Sequence, residues 1–249
     1  MHLKQTMGIV GFGRFGRFAA SHLRDHFDLS IFDKDDRRAE AGEMGIRIGS
    51  LEEIARSSIV ILCVPISEIR ETLIEIAPHL KKGSLVVDTC SVKEYPVSQM
   101  TELIPPYVEI LGTHPLFGPD SRMQGLQGRK IVLCPVRVRD LAAVQAFLKR
   151  LGLKVLISSP EEHDSRMAST QAIVHFLGRS LLEVGMAQQE MTTPSYDALI
   201  RILETVQGNA KELSHDLQAF NRFALERRQR LINALITTNQ RLLNTAKER

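Results

Sequence analysis

The sequence predicts an α/β protein, with a doubly wound parallel sheet first and an all-helical region after it. Three observations carry this. Short apolar runs alternate with amphipathic segments through the first 158 residues, the pattern of parallel strands joined by crossover helices. A glycine-rich turn, Gly11-Phe12-Gly13-Arg14-Phe15-Gly16, follows the first of these runs. Beyond Ile157 the β-prone runs stop, and apolar residues recur only at helical spacing.

The first run, Met7 to Val10, breaks at Gly11 and leads into a helix carrying Phe15, Phe18, Ala19 and Leu23. The second, Leu29 to Phe32, ends at Asp33. The run Ile59-Val60-Ile61-Leu62-Cys63-Val64 is apolar throughout, as a strand covered on both faces requires. Pro65 and Ser67 then open a helix that closes at Pro78. Strands are expected at Ser84–Asp88, Val108–Leu111, Ile131–Cys134 and Val155–Ile157, with helices from near Pro96 and from Leu141 to Leu151. Ser159-Pro160-Glu161-Glu162 reads as an N-cap, a first-turn proline and a capping-box glutamate. The segment from His163 to about Gln189 is apolar nearly all round, which predicts a helix buried at the centre of something. Helices from Thr193-Pro194 onward, interrupted at Gly208-Asn209, are too few to enclose it. A homodimer through these helices is therefore expected, with domains at 1–158 and 159–249.

Gly11, Gly13 and Gly16 have the G-x-G-x-x-G spacing of a Rossmann-type dinucleotide loop. The first glycine permits the tight turn, the second admits the pyrophosphate to the backbone, and the third lets helix pack on strand. Asp33 stands where an acid accepts hydrogen bonds from an adenosine ribose. The expected cofactor site comprises Gly11 to Gly16, Asp33, Val64, Pro65 and Ser91. A carboxylate at position 33 favours NAD over NADP, although Lys34, Arg37 and Arg38 argue the other way.

Composition narrows the classes. A net charge of +3 over 249 residues, with scattered basic residues, gives no nucleic-acid surface. Cys63, Cys90 and Cys134 follow apolar runs without a C-x-x-C, which predicts buried free thiols in a reducing compartment. Met1-His2-Leu3-Lys4-Gln5 leads straight to the first strand, and no apolar run is long enough to span a bilayer, so the cytoplasm is the expected location.

Ligands of such sheets gather beyond the carboxyl ends of the strands. Two stretches are expected there: Asp88-Thr89-Cys90-Ser91-Val92-Lys93-Glu94 and Gly112-Thr113-His114-Pro115-Leu116-Phe117-Gly118-Pro119. A histidine at a strand end can take a proton from a substrate hydroxyl while hydride leaves the same carbon, and its ordinary pKa of about 6.5 suits that task. Ser91 is placed to hydrogen-bond that imidazole and set its tautomer. His163 and His175 lack a metal-ligand spacing and read as orienting or core groups, and no metal is expected.

Ser91-Val92-Lys93 and Thr113-His114-Pro115-Leu116-Phe117-Gly118-Pro119 resemble the signatures of prephenate and arogenate dehydrogenases, enzymes of tyrosine biosynthesis. The resemblance extends to Glu162-His163-Asp164, Gln171 and His175-Phe176-Leu177-Gly178-Arg179, and thus over nearly the whole chain. Cys90 to Pro96 looks most like the branch that includes plant arogenate dehydrogenases. The resemblance implies a Rossmann-type domain, a helical dimerisation domain, and oxidative decarboxylation of a cyclohexadienyl substrate by a nicotinamide cofactor. It implies His114 as the base, assisted by Ser91, with Lys93, Gln171, His175, Asn209 and Lys211 toward the substrate. Lys211, or else Arg201, stands for an arginine that many bacterial members carry, and Arg122 for a common glycine. In the plant-like branch an acidic residue at the position of Asn209 goes with arogenate and an uncharged one with prephenate, so prephenate is the expected substrate. A β-hydroxyacid or imine reductase would place a lysine or aspartate on the central helix, and Gln171 to Arg179 offers neither. A non-catalytic NAD sensor would have no need of His114.

Overall fold

The structure is a computed structural model that describes residues 4–119, 125–208 and 211–247. The chain divides into two units, Met1–His163 and Asp164–Arg249.

The first unit is built on one eight-stranded sheet. Its strands are β1 (Thr6–Val10), β2 (Asp28–Phe32), β3 (Arg47–Ile48), β4 (Ile59–Leu62), β5 (Leu85–Asp88), β6 (Glu109–Pro115), β7 (Lys130–Arg137) and β8 (Lys154–Ile157), in the spatial order 3-2-1-4-5-6-7-8. The helices between them are α1 (Arg14–Leu23), α2 (Arg38–Glu43), α3 (Leu51–Ala55), α4 (Ile69–Ile76), α5 (Glu94–Leu103) and α6 (Leu141–Arg150). The order reverses between β1 and β4, the topological switch point at which such sheets open a ligand crevice.

Register makes that crevice a straight rim. Phe32, Val10, Leu62, Asp88 and Gly112 are successive cross-strand partners. The residues one step further on, Asp33, Gly11, Cys63 and Thr89, therefore lie along one edge. The sheet departs from the expected all-parallel form at β7, which pairs antiparallel to β6, with β8 parallel to β7. That pairing carries β6 through His114 to Pro115, so the histidine belongs to a strand rather than to a loop beyond one. The ladder shifts register between Ile110 and Leu111, beside Pro135, which has no N–H to offer. The two-residue edge strand β3 is an element that periodicity does not reveal.

The second unit consists of helices. α7 (Pro160–Ser169) crosses the division between the units, and α8 (Gln171–Glu183), α9 (Pro194–Gly208), α10 (Lys211–Ala219) and α11 (Ala224–Lys247) follow. Ser159 and Thr193 cap α7 and α9 by accepting the amides of Glu162 and Tyr196. The segment read as one helix from His163 to Gln189 is two, separated at Thr170, whose φ of −120° and ψ of −85° leave the helical region. Nor is α8 enclosed by this chain alone, because Val174 is 44% exposed. Helix α8 packs on α9 where Gly178 meets Val206; a Cβ on Gly178 would stand 2.9 Å from the valine.

Candidate active site

At the switch point the glycine loop is shaped by contacts that exclude side chains. Gly11 has φ +94°, and a Cβ there would lie 2.5 Å from the Cys63 carbonyl oxygen. A Cβ on Gly16 would lie 2.0 Å from the Gly11 carbonyl oxygen, so only glycine lets α1 start this close to β1. Gly13, by contrast, faces open space, with nothing beyond its own chain neighbours within 4 Å of a Cβ built there. It precedes a ten-residue helix whose first turn has no side-chain cap and no acidic residue. Open backbone at an uncapped helix N-terminus is what a pyrophosphate requires.

Asp33 is tied to this loop. Its carboxylate accepts the Phe12 amide at 2.5 Å and the Asp35 amide at 2.9 Å. Gly11, Gly13, Asp33, Val64 and Pro65 line one cleft of about 560 Å³, so the structure gathers these predicted cofactor residues. The basic residues beyond β2 are engaged with acids: Lys34 with Glu68 at 2.6 Å, Arg37 with Asp35 at 3.0 Å and Asp33 at 3.7 Å, and Arg38 with Asp36 at 2.9 Å.

Further along the rim, a buried polar network ties β5 to β6. Lys93 and Asp88 form an ion pair with both side chains fully buried. The ammonium also donates to the Thr113 carbonyl at 2.5 Å. Asp88 accepts the amides of Cys90 at 2.9 Å and Thr113 at 3.3 Å, and the Thr113 hydroxyl returns a bond to the Asp88 carbonyl at 2.6 Å. These bonds hold the turn that carries Ser91 against the strand that carries His114. Lys93, expected toward the substrate, is thus turned inward, because two strand ends here share a cation that water cannot reach.

His114 is 3% exposed, and its Nδ1 lies 2.9 Å from Nε2 of His163, itself 2% exposed. His163, expected to be an orienting or core group, thus stands at one nitrogen of this imidazole. The ring planes are inclined at 71°, with centroids 5.1 Å apart. Burial first, then His163 and Lys93, holds the His114 pKa well below the ordinary histidine value. A neutral imidazole at the rim can accept a proton. Burial likewise pushes the Cys63 thiol up to about 12 and the Cys90 thiol well above its usual value, so neither is a thiolate nucleophile at neutral pH.

Arg129 is a bracing residue near His114 that the sequence does not single out. It is buried, lies over the rings of Phe18 and Phe117 at 5.6 and 5.2 Å, and donates to the Gly118 carbonyl at 3.3 Å. It braces the loop after His114 against α1. The only signal in the sequence is an arginine at the head of an apolar strand.

In the second unit, His175 Nδ1 lies 2.9 Å from the Ser214 hydroxyl, which also accepts from Arg179 Nε at 3.2 Å. His175, Arg179, Ser214, His215 and Gln218 line a cavity of about 540 Å³. Burial, followed by Arg179, holds the His175 pKa down at about 4. The Gln171 amide oxygen is buried, with no hydrogen-bond partner among the described residues. Asn209 and Arg122 lie outside the described residues, and Lys211 is placed only as the first residue of α10. Among the described residues there is no cluster of acids, histidines and cysteines suited to a metal, and no helix long and apolar enough to cross a membrane.

The fold and the glycine loop define a dinucleotide-binding protein of the kind on which dehydrogenases are built. The family described as prephenate dehydrogenase, nucleotide-binding domain, matches residues 19–157, and one described as TYRAAT1-like, C-terminal domain, matches residues 180–249. Arogenate dehydrogenase 1, chloroplastic, of Arabidopsis thaliana is 31% identical over 90% of this chain and 37% of its own length. For arogenate dehydrogenase 2, chloroplastic, of the same plant the figures are 30%, 95% and 69%. A probable arogenate/prephenate dehydrogenase of Methanocaldococcus jannaschii is 30% identical over 92% of this chain and 54% of its own. The chain thus spans between about a third and two thirds of the length of these relatives. In fold it is similar to the A. aeolicus prephenate dehydrogenase solved with hydroxyphenyl propionate and NAD+ (TM-score 0.77, 21% identity, 98% of this chain and 92% of that one). Synechocystis arogenate dehydrogenase is similar too (TM-score 0.72, 22% identity, 96% and 92%). The chain belongs to the prephenate/arogenate dehydrogenase family.

Proposed function

We propose that this protein carries out the oxidative decarboxylation of prephenate to 4-hydroxyphenylpyruvate, a step of tyrosine biosynthesis, with NAD as hydride acceptor. The observation that carries the reading is His114, a buried neutral imidazole on β6, two residues past Gly112 at the same edge of the sheet as the glycine loop. NAD, when bound, takes the hydride. The first-turn amides of α1 and the open backbone at Gly13 would hold its pyrophosphate, and Asp33 its ribose. His114 hydrogen-bonds the ring hydroxyl and receives its proton, with Ser91 assisting from the neighbouring turn. Loss of the ring carboxylate aromatises the ring and makes the step irreversible, so the protein has mainly to align two rings and supply a base.

NAD is favoured over NADP because Asp33 would repel a 2′-phosphate, and the basic side chains nearby already face carboxylates. Prephenate is favoured by the uncharged Asn209, since an acid there would pair with the ammonium of arogenate. The names of the two plant relatives support arogenate as the second reading. Gln171, His175 and Lys211 are assigned to the substrate, the active form to a homodimer, and its location to the cytoplasm.

The test is to incubate the protein with each substrate and each cofactor and follow reduced nicotinamide. NAD and prephenate should give the highest kcat/KM. Asn209→Asp should move the preference toward arogenate by on the order of 1–3 kcal/mol, as for one charge contact. Higher kcat/KM on arogenate with Asn209 in place would establish the second reading. No turnover of either substrate would refute both.

A further inference from the structure

The contact between His114 and His163 joins two ring nitrogens, and one of them must carry the proton. The two arrangements have opposite chemistry. If His163 donates, His114 Nδ1 is the acceptor and the proton of His114 sits on Nε2. That nitrogen then offers only an N–H to the substrate. If His114 donates from Nδ1, its Nε2 is a bare lone pair able to take a proton. We propose that His163 is a positioning residue that accepts the Nδ1 proton of His114 and so fixes Nε2 of His114 as the base. The proposal deepens the reading of His114 given above and rests on it.

Both rings are held where this bond is enforced. His114 sits in the β6–β7 ladder opposite Val132, so its backbone cannot swing away. His163 is in the first turn of α7, where its amide bonds the Ser159 carbonyl at 3.0 Å and the Ser159 hydroxyl caps the helix. Burial shields both rings from water, which strengthens the bond between them. Asp88, the acid at the end of β5, faces Lys93 and the amides of Cys90 and Thr113. At Nδ1 of His114 the orienting group is thus an imidazole nitrogen.

A weak base is sufficient for this reaction. As hydride leaves the hydroxyl-bearing carbon, the hydroxyl becomes the conjugate acid of a carbonyl, far more acidic than an imidazolium. The O–H bond breaks, an N–H bond forms at Nε2, and the ring carbonyl appears as the hydride passes to the nicotinamide. The ring carboxylate then leaves as carbon dioxide, and its bonding pair completes the aromatic ring. The resulting phenolate oxygen recovers the proton from Nε2. While His114 is protonated, its Nδ1 proton can lean toward His163, which spreads the charge over two rings in a site already facing Lys93.

Two-bond proton–nitrogen correlation spectra of the full-length protein, labelled at histidine and saturated with NAD, report directly which nitrogen is protonated. His114→Asn and His163→Gln assign the signals. His114 should carry its proton on Nδ1 with Nε2 bare; a proton on Nε2 overturns the proposal. Kinetics give the second arm. His163→Leu removes the acceptor and should lower kcat about 10²–10³-fold, somewhat less than the ~10⁴-fold that the wrong tautomer costs in a Ser-His-Asp triad. KM and NAD affinity should stay within a few-fold. His163→Gln keeps an acceptor at the position of Nε2 and should recover kcat to within about tenfold of the parent. Equal losses in Leu and Gln would mean that His163 merely fills space. The spectra need no turnover, so a protein inert toward both substrates would refute the functional reading while the tautomer was still decided.

Discussion

The two units of this chain treat their apolar surface differently. The sheet unit closes on itself: Ile9, Ile31, Ile54, Leu62, Leu73 and Ile110 are all fully buried. In the helical unit the buried apolar residues among those described are Ile200, Leu203, Val206 and Leu217, with three alanines. Many of its other apolar side chains lie outside, with Val184 79% and Leu225 65% exposed, and Leu235, Ile236, Leu242 and Leu243 exposed along α11. Crossover connections explain the contrast. Each one brings a helix back onto the sheet, so a doubly wound unit covers most of its own core. Consecutive antiparallel helices have no such obligation, and a row of four or five leaves one face bare. Chemistry that needs rigid placement therefore sits on the sheet, and the bare helical face is where a second copy is proposed.

The contrast breaks first at His114. His114→Asn should lower kcat by about 10²–10⁴-fold, the usual cost of losing a general base, while NAD affinity changes by no more than a few-fold. Stopped-flow turnover and cofactor titration check both parts. Ser91→Ala should be milder, and a larger loss there would reverse the two roles. If the sheet unit depends on the Lys93–Asp88 pair for rigidity, Lys93→Met should cost about 3–5 kcal/mol in urea unfolding, because it strands a buried carboxylate. Lys93→Met combined with Asp88→Leu should recover part of that loss.

On the helical side, Leu235 and Leu242 are seven residues apart and share one face of α11. Sedimentation equilibrium should find the parent protein dimeric at micromolar concentration. Replacing both leucines with aspartate should weaken association by at least about 100-fold, since each buried leucine contributes roughly 1.5–3 kcal/mol. A monomeric parent would instead show that the bare face stays in solvent.

The smallest effect is a pH slope in the helical unit. His175 is held neutral with its pKa near 4, whereas the unfolded chain takes up the proton near 6.5. The unfolded state therefore binds more protons in between, so this stability is present above pH 6.5 and is lost as pH falls toward 4. The loss is on the order of 2–3 kcal/mol. His114, depressed in the same direction, adds a slope of the same sign in the sheet unit. His175→Gln should flatten the dependence of the urea midpoint on pH without removing it.

Much of this protein was determined locally. Gly11, Gly13 and Gly16, the acid at Asp33, the continuous apolar run Ile59–Leu62 and the capped start at Ser159-Pro160 each act within a few residues. Their consequences, a turn, a helix start or a strand buried on both faces, could be read from order and spacing alone. Other features depend on residues far apart in the chain. The reversal of β7 follows from pairing with β6, and that pairing turns His114 from a loop residue into a strand residue. The inward turn of Lys93 needs Asp88 five positions back and the Thr113 carbonyl twenty positions on. The partner of His114 stands 49 residues later, on another element. Periodicity reports which face of an element is apolar, but not which polar groups two elements will share once water is excluded between them. Only the tertiary structure decided that a second histidine would stand at His114 Nδ1.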